Sequence, residues 1–166
     1  MKKRVGIFYS MLLVFLISAV FTSCKKEEEF DAEDEQRMIQ SFLDDNDLDI
    51  EPTESGLYYI ELIEGPGNYP VTGDTVDVYY TGYYLTGGIL DHNLNSDPLR
   101  VVIGEHGVIE GMEEGLTYIK EGGEALLIIP SKLAYGEEGN YQMGIAPYTP
   151  LAFEVEIDKL IPGPGK

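Results

Sequence analysis

The chain has 166 residues, about the length of one domain, and carries 30 acidic against 11 basic residues for a formal net charge of −19. A chain this acidic is a poor candidate for nucleic-acid binding, because a duplex is bound through Lys and Arg. One cysteine excludes an internal disulfide framework and a four-cysteine zinc site, and 43% hydrophobic residues are enough to fill a core.

The first 23 residues have the composition of a secretory signal. Lys2, Lys3 and Arg4 form a positively charged start, and the run over 5–21 is mostly apolar. This run is near the lower length limit for a membrane span, so a retained transmembrane helix is the alternative. We predict a signal peptide over 1–23.

Cys24 directly follows the small residues Thr22 and Ser23. This arrangement resembles a bacterial lipobox, in which the cysteine is diacylated and becomes the mature N-terminus, although Phe21 stands where Leu is usual. We therefore predict that lipid on Cys24 holds the protein to a membrane of the bacterial cell envelope, with the outer membrane as the expected site. The charged run over 25–29 is expected to be a solvated tether, with a surface-export signal as the alternative.

The segment 31–45 is predicted to form a short helix. Asp31 can cap its start, and acidic residues crowd its first turn, where they interact favourably with the helix dipole. Four apolar residues share one face at helical spacing: Met38, Ile39, Phe42 and Leu43. Residues 24–55 are therefore predicted to form an acidic tether with one short helix.

From residue 56 the sequence pattern changes to strands and turns. Strands are predicted over 57–63, 75–84, 99–103, 124–130 and 151–161, with a hairpin turn at Gly87-Gly88 and helical spacing over 108–119. Strands around one short helix indicate an α+β fold, in which an antiparallel sheet wraps over the helix. The predicted domain runs over 56–162, and 163–166 form a tail.

The sequence contains no convincing metal, phosphate or nucleophile motif. Three aspartates over 45–49 are spaced like the start of a calcium loop, but Ile50 occupies the required Gly position and Gly56 the required Glu position. No further ligands complete a metal site around His92 or His106. We therefore predict no metal and no cofactor.

Four segments of the strand region stand in a characteristic order. They are VYYTG (78–82), GILD (88–91), VIEGMEEG (108–115), and AYG (134–136), which is followed by IAP (145–147) and LAFEVEI (151–157). Their order and spacing, along 56–161, resemble the FKBP-type peptidyl-prolyl isomerases. The resemblance implies a twisted antiparallel sheet curled around a short helix, and rotation about the amide bond before proline as the activity.

The chemistry of this reaction limits what the site needs. Rotation about the amide bond crosses a barrier of ~18–20 kcal/mol because it breaks amide resonance. No bond is made or broken, so the site needs only to bind the twisted amide better than the planar forms. The resemblance therefore implies an apolar, aromatic cleft for the prolyl ring, with proline-containing polypeptides as partners.

The resemblance assigns the isomerase site to ten residues. It implies catalytic roles for Tyr80, Asp91, Ile109, Tyr135 and Phe153, and substrate-binding roles for Leu90, Leu99, Val108, Met112 and Ala146. Asp91 aligns with the pocket carboxylate of the family, and the backbone N–H of Ile109, near a helix start, can bind a substrate carbonyl. Taken singly, Tyr80, Val108 and Phe153 are also explained as ordinary core, and Asp91 as a turn cap.

Four of these positions depart from the family pattern. Leu90 and Leu99 stand where aromatic residues are common, Met112 where the family has Trp, and Ala146 where it has Pro. A more pliable pocket with lower turnover, an altered preference for the residue before proline and weak macrolide binding is expected, because Met is flexible. The alternative is a binding or chaperone module that kept the fold without the activity. We expect a monomer that acts on exported proteins, with dimerisation through 31–45 as the alternative.

Overall fold

The computed structural model describes residues 31–164, so the predicted signal peptide, Cys24 and the tether up to residue 30 lie outside the described residues. The elements, in chain order, are helix α1 (Ala32–Asp45), strands β1 (Tyr58–Ile63), β2 (Thr75–Tyr84), β3 (Ile89–His92) and β4 (Leu99–Val102), helix α2 (Glu110–Leu116), strand β5 (Glu124–Ile129), a short 3₁₀ helix (Ser131–Leu133) and strand β6 (Leu151–Ile161).

All six strands belong to one antiparallel sheet with the order β1-β5-β6-β2-β3. Strands β2 and β6 pair along their whole lengths, from Thr75 opposite Ile161 to Tyr84 opposite Leu151. The other edge of β2 is shared, because β4 pairs with its first half and β3 with its second. The predicted α+β fold, an antiparallel sheet around a short helix, is confirmed.

The two long strands have the predicted bounds, whereas the shorter elements differ. Helix α2 is shorter than the predicted 108–119, because Ile109 has an extended backbone (φ −60°, ψ 147°) and 117–119 form turns with i to i−3 hydrogen bonds. Strand β3 follows the predicted hairpin turn but was not itself predicted, since three of its four residues are exposed. The other predicted strands are each one residue shorter.

One face of the sheet, here called the inner face, packs against α2 and forms the main core. Its largest fully buried side chains include Leu57, Leu116, Leu127, Ile129, Leu151 and Ile157. Two glycines allow the helix to approach the sheet: a Cβ at Gly115 would overlap Leu127, and one at Gly111 would lie 2.5 Å from Ile129 Cγ2. The close packing of α2 on β5 therefore requires glycine at both positions.

The opposite, outer face carries α1. Ile39 and Leu43 of the helix form a second, smaller cluster with Tyr58 and Ile128. Because successive strand residues point to opposite faces, Ile128 faces α1 while its neighbours face the main core. Asp31 caps the helix as predicted, accepting hydrogen bonds from the backbone N–H groups of the first turn. The predicted helix over 31–45 is confirmed.

Residues 31–164 contain no helix that is long and apolar enough to cross a membrane.

Candidate functional site

The structure brings most of the predicted site residues together on the inner face. Met112 and Phe153 are buried members of the main core cluster, and five further predicted residues are half-buried against it: Tyr80, Leu90, Val108, Ile109 and Tyr135. They come from β2, β3, the start of α2, the segment after the 3₁₀ helix, and β6. The fold thus assembles an apolar surface from segments that lie far apart in the sequence.

The polar centre of this surface is the pair Tyr80 and Asp91. The Tyr80 hydroxyl donates a 2.7 Å hydrogen bond to Asp91 Oδ2, and the backbone N–H of His92 donates one of 2.8 Å to Oδ1. The rings of Tyr80 and Phe153 lie 6.1 Å apart between centroids, tilted by 53°. An exposed carboxylate is therefore held in a fixed position at the edge of two aromatic rings.

Burial raises the pKa of Tyr80 to about 12, and the hydrogen bond to Asp91 and the charge of Asp91 add to the rise. Burial also raises the pKa of Tyr135, again with a contribution from the Asp91 charge. Both phenols therefore stay protonated throughout the physiological pH range. They remain hydrogen-bond donors beside a negative carboxylate.

Gly82 makes the position of Phe153 possible. It lies opposite Asp91 on β3 and opposite Phe153 on β6, so it is the point where the three strands meet. A Cβ at this position would lie 2.6 Å from Phe153 Cε1. Glycine at position 82 therefore leaves room for the Phe153 ring against β2. This explains why the VYYTG segment ends in glycine.

The start of α2 offers a backbone donor. The Ile109 carbonyl accepts from the N–H groups of Met112 (3.0 Å) and Glu113 (3.1 Å), so Ile109 caps the helix with its backbone alone. Its own N–H donates no hydrogen bond within residues 31–164. This N–H is therefore available to a ligand carbonyl, as expected for the first residues of a helix.

The loop over 140–147 closes one side of the apolar surface. The Tyr135 hydroxyl lies 3.4 Å from the sulfur of Met143, and the Tyr84 hydroxyl donates to the Gly144 carbonyl at 3.4 Å. Ile145 is buried in the main core and holds the loop to the sheet. Sequence reasoning did not single out Tyr84 or Ile145 as site residues, because their proximity depends on the path of this loop.

The structure does not bring Leu99 and Ala146 into the cluster. Leu99 lies on β4 and is 37% exposed, and Ala146 is exposed beside the buried Ile145. Both positions therefore lie at the rim of the apolar surface. Their substrate-binding roles remain predictions.

Asn93 is a further residue that the sequence did not indicate. Its buried side chain accepts a 2.8 Å hydrogen bond from the Tyr80 N–H and donates one of 2.8 Å to the Val78 carbonyl. Its backbone N–H also donates to the Tyr80 carbonyl at 3.2 Å. Asn93, the first residue after β3, thus fixes the backbone of Tyr80 close to Asp91, and we assign it a positioning role.

Within residues 31–164 no group of three or more His, Cys, Asp or Glu side chains is placed to hold a metal ion. The site instead offers an apolar surface, one carboxylate, two phenols and one backbone N–H. This arrangement can bind an apolar ring and orient an attached peptide by hydrogen bonds, without nucleophilic chemistry.

A family model described as FKBP-type peptidyl-prolyl cis-trans isomerase matches residues 67–158. An FK506-binding protein of Neisseria meningitidis serogroup B is 40% identical over 106 residues, which are 63% of this chain and 96% of that relative. FkpA of Escherichia coli, an FKBP-type peptidyl-prolyl cis-trans isomerase, is 38% identical over 116 residues, which are 69% of this chain and 42% of FkpA. The chain therefore belongs to the FKBP-type peptidyl-prolyl cis-trans isomerases.

Solved structures agree with this assignment. A peptidyl-prolyl cis-trans isomerase of Pseudomonas syringae superposes with a TM-score of 0.67 at 28% identity and covers 80% of this chain and 98% of its own. The structure of FkpA from Escherichia coli superposes with a TM-score of 0.71 at 32% identity, over 98% of this chain and 76% of FkpA. This chain spans less than half of the FkpA length in the sequence match, but nearly all of the Neisseria relative.

Proposed function

We propose that the protein isomerises X-Pro bonds of exported polypeptides by binding the twisted amide, without covalent chemistry, on the apolar surface around Tyr80 and Phe153. The observation that supports this most directly is the Tyr80–Asp91 hydrogen bond of 2.7 Å at the edge of that ring pair. It holds one polar group in place where a bound prolyl amide meets an otherwise apolar wall.

The prolyl ring packs against Phe153 and Met112, while the Ile109 N–H binds a carbonyl of the substrate backbone. The planar amide is the more dipolar form, because resonance places charge on its oxygen and nitrogen. Moving it from water to an apolar wall costs more than moving the twisted form. The wall therefore lowers the barrier by favouring the transition state over both ground states.

Asp91 and Tyr135 act on the polar part of the substrate. The Asp91 carboxylate, held by Tyr80, polarises the bound amide, and the Tyr135 hydroxyl donates to the substrate backbone. Both phenols are protonated at physiological pH, and burial raises their pKa values further above the ordinary value of 10. These groups orient the rotated amide, and we attribute to them the part of the rate enhancement that the apolar wall does not supply.

A protease-coupled proline isomerisation assay on residues 25–166, which contain every described element and the whole family match, tests this function. We expect catalysis above buffer that falls about tenfold or more with Asp91→Ala, since 1.4 kcal/mol of transition-state binding corresponds to about tenfold. Asp97→Ala, in an exposed turn six residues away, is the matched control and should keep the wild-type rate.

Absence of catalysis above buffer would instead favour the second candidate function, a binding or chaperone module. The exposure of Leu99 and Ala146 is the observation that favours this alternative, since it leaves two positions of the expected cleft wall at the rim. Such a module would suppress aggregation of an unfolded client, and Asp91→Ala would not reduce that suppression.

We further propose that the protein is a monomer held to the cell envelope by lipid on Cys24. The basic start and the lipobox-like residues before Cys24 support this. Cleavage before Cys24 would remove Lys2, Lys3 and Arg4, so the net charge would change from −19 to −22. That charge would keep the domain away from anionic lipid. A mature protein whose N-terminus is not a lipid-modified Cys24 by mass spectrometry would contradict the anchor, and a dimer in sedimentation would contradict the monomer.

A further inference from the structure

Beyond the C-terminal end of α2, three tyrosines line a groove that the proposed mechanism does not use. The groove has a volume of about 530 Å³ and is lined by Thr53, Tyr59, Glu61, Tyr69, Thr117 and Tyr118. We call it the tyrosine groove. Its size lies in the range of binding sites for small molecules and peptide segments, and α2 separates it from Ile109, which caps the other end of the helix.

Two of the three rings of the tyrosine groove, those of Tyr59 and Tyr118, are held in place by hydrogen bonds and by contact with each other. The Tyr59 hydroxyl donates to the Tyr118 carbonyl at 3.0 Å, and the Tyr118 hydroxyl donates to Glu114 Oε1 at 3.1 Å. The two rings meet edge to face at 5.7 Å between centroids. Glu114 is itself held by the Ser55 hydroxyl at 2.9 Å. The aromatic faces are therefore preorganised, which lowers the entropy that a ligand loses on binding.

The lining of the groove contains one carboxylate, Glu61, and the basic residue at its rim, Lys120, is paired with Glu64. Burial raises the pKa of Tyr59 to about 12, and the charge of Glu61 contributes to the rise. At the rim, the Lys120 ammonium lies 5.3 Å from the centroid of the Tyr69 ring. The Tyr69 ring thus already contacts one cation, Lys120. Glu61 offers a carboxylate to a second cation, one that belongs to the ligand.

The open shape of the groove favours an extended polypeptide as its ligand over a small cation, which would need aromatic rings on all sides. Tyr69 is 49% exposed and Tyr118 is 39% exposed, so the groove is open along one side. Aromatic-lined open grooves bind polyproline II segments, because this conformation is preformed and proline rings stack on flat aromatic faces. Negative charge beside the rings selects a segment that carries Lys or Arg.

We propose that the tyrosine groove binds an extended, proline-containing polypeptide segment with Lys or Arg next to the proline. It would be a second contact with the polypeptides on which the isomerase site acts, so the class of ligand rests on the proposed function. Such a contact raises the local concentration of the client at the isomerase site without any change in that site.

Fluorescence anisotropy with a labelled heptapeptide, three prolines on each side of one arginine, tests the proposal on residues 25–166. The double variant Tyr69→Ala/Tyr118→Ala should weaken binding at least tenfold. Both tyrosines are exposed, so this variant should fold. Glu61→Lys should weaken binding of the arginine peptide and strengthen binding of a peptide with glutamate in its place. Val71→Ala, which shortens a side chain that is 51% exposed outside the groove, should leave peptide binding unchanged.

Three results would overturn the proposal: no binding by the wild type, equal affinity for the arginine and glutamate peptides, or loss of binding with Asp91→Ala but not with the groove variants. The same variants are assayed for isomerisation of a tetrapeptide, and the double groove variant should keep the wild-type rate. A wild type that binds the heptapeptide through the groove but isomerises nothing would reject the proposed function and leave the groove proposal standing.

Discussion

The two faces of the sheet differ in the size of the buried cluster that attaches a helix to each, α2 on the inner face and α1 on the outer face. The inner-face cluster extends over β2, β4, β5, β6 and α2 and supports the proposed isomerase site. The outer-face cluster has four buried residues, Ile39, Leu43, Tyr58 and Ile128, with five partly buried side chains packed against them, and it holds α1 and the segment that follows it. The proposed site therefore lies on the larger of the two buried cores, whereas α1 packs on the opposite face of the sheet through the smaller one.

A polar contact adds to the attachment of α1. The Glu35 carboxylate accepts hydrogen bonds from the backbone N–H and the hydroxyl of Ser131, the latter at 2.8 Å. Ser131 begins the 3₁₀ helix that leads to Tyr135. Because the outer-face cluster is much smaller than the main core, we expect α1 to detach in a local opening that leaves the sheet intact.

A pair of identical substitutions tests the difference between the faces. Leu127 and Leu43 are both buried, at 0% and 4% exposure, on the inner and the outer face. Leu127→Ala should lower the free energy of unfolding by about 2–5 kcal/mol, as for other core leucines. Leu43→Ala removes the same atoms, but its cost should not exceed about 2 kcal/mol, because the site can open and collapse. Urea unfolding measures both values.

Native-state hydrogen exchange then locates the effect. In Leu43→Ala the amides of α1 should exchange faster while those of β5 and β6 stay protected, whereas Leu127→Ala should speed exchange in all elements. Equal losses of stability in the two variants, together with exchange of α1 only through global unfolding, would show that α1 is an integral part of the domain.

The parts of the fold that the sequence predicted well are those with long, regular patterns. Strands β2 and β6 have 10 and 11 residues and alternate apolar residues, so their bounds match the structure. The four residues of β3 and the seven of α2 are too few for a period to be read reliably. The bounds of short elements depend on contacts with distant parts of the chain, and a single sequence gives no direct sign of those contacts.

The same distinction applies to the site. Tyr80, Asp91 and Phe153 lie in segments whose order matches a known family, so the sequence could name them as candidates, and the structure brings them together. The role of Asn93 depends on the return of β3 beside β2, and the tyrosine groove joins three tyrosines from β1, a connecting segment and the end of α2. Neither has a pattern within one segment, so only the three-dimensional structure shows them.

A second matched pair, Asn93→Ala and Asn46→Ala, compares the faces at the level of single hydrogen bonds. Asn93→Ala leaves the buried Tyr80 N–H and Val78 carbonyl without their partner, which should cost about 1–3 kcal/mol of stability. Asn46 makes a similar bond of 2.8 Å to the Phe42 carbonyl, but in solvent at the end of α1, so its loss should cost less than about 0.5 kcal/mol.

Activity separates the positioning role of Asn93 from a purely structural one. Because Tyr80 holds Asp91, a displaced Tyr80 backbone should lower kcat/KM severalfold under conditions where the variant is fully folded, and the Tyr80 amide should exchange faster by NMR. Asn46→Ala should keep the wild-type kcat/KM. If Asn93→Ala loses stability but retains full activity, then Asn93 stabilises the sheet only, and the geometry of the Tyr80–Asp91 pair does not depend on it.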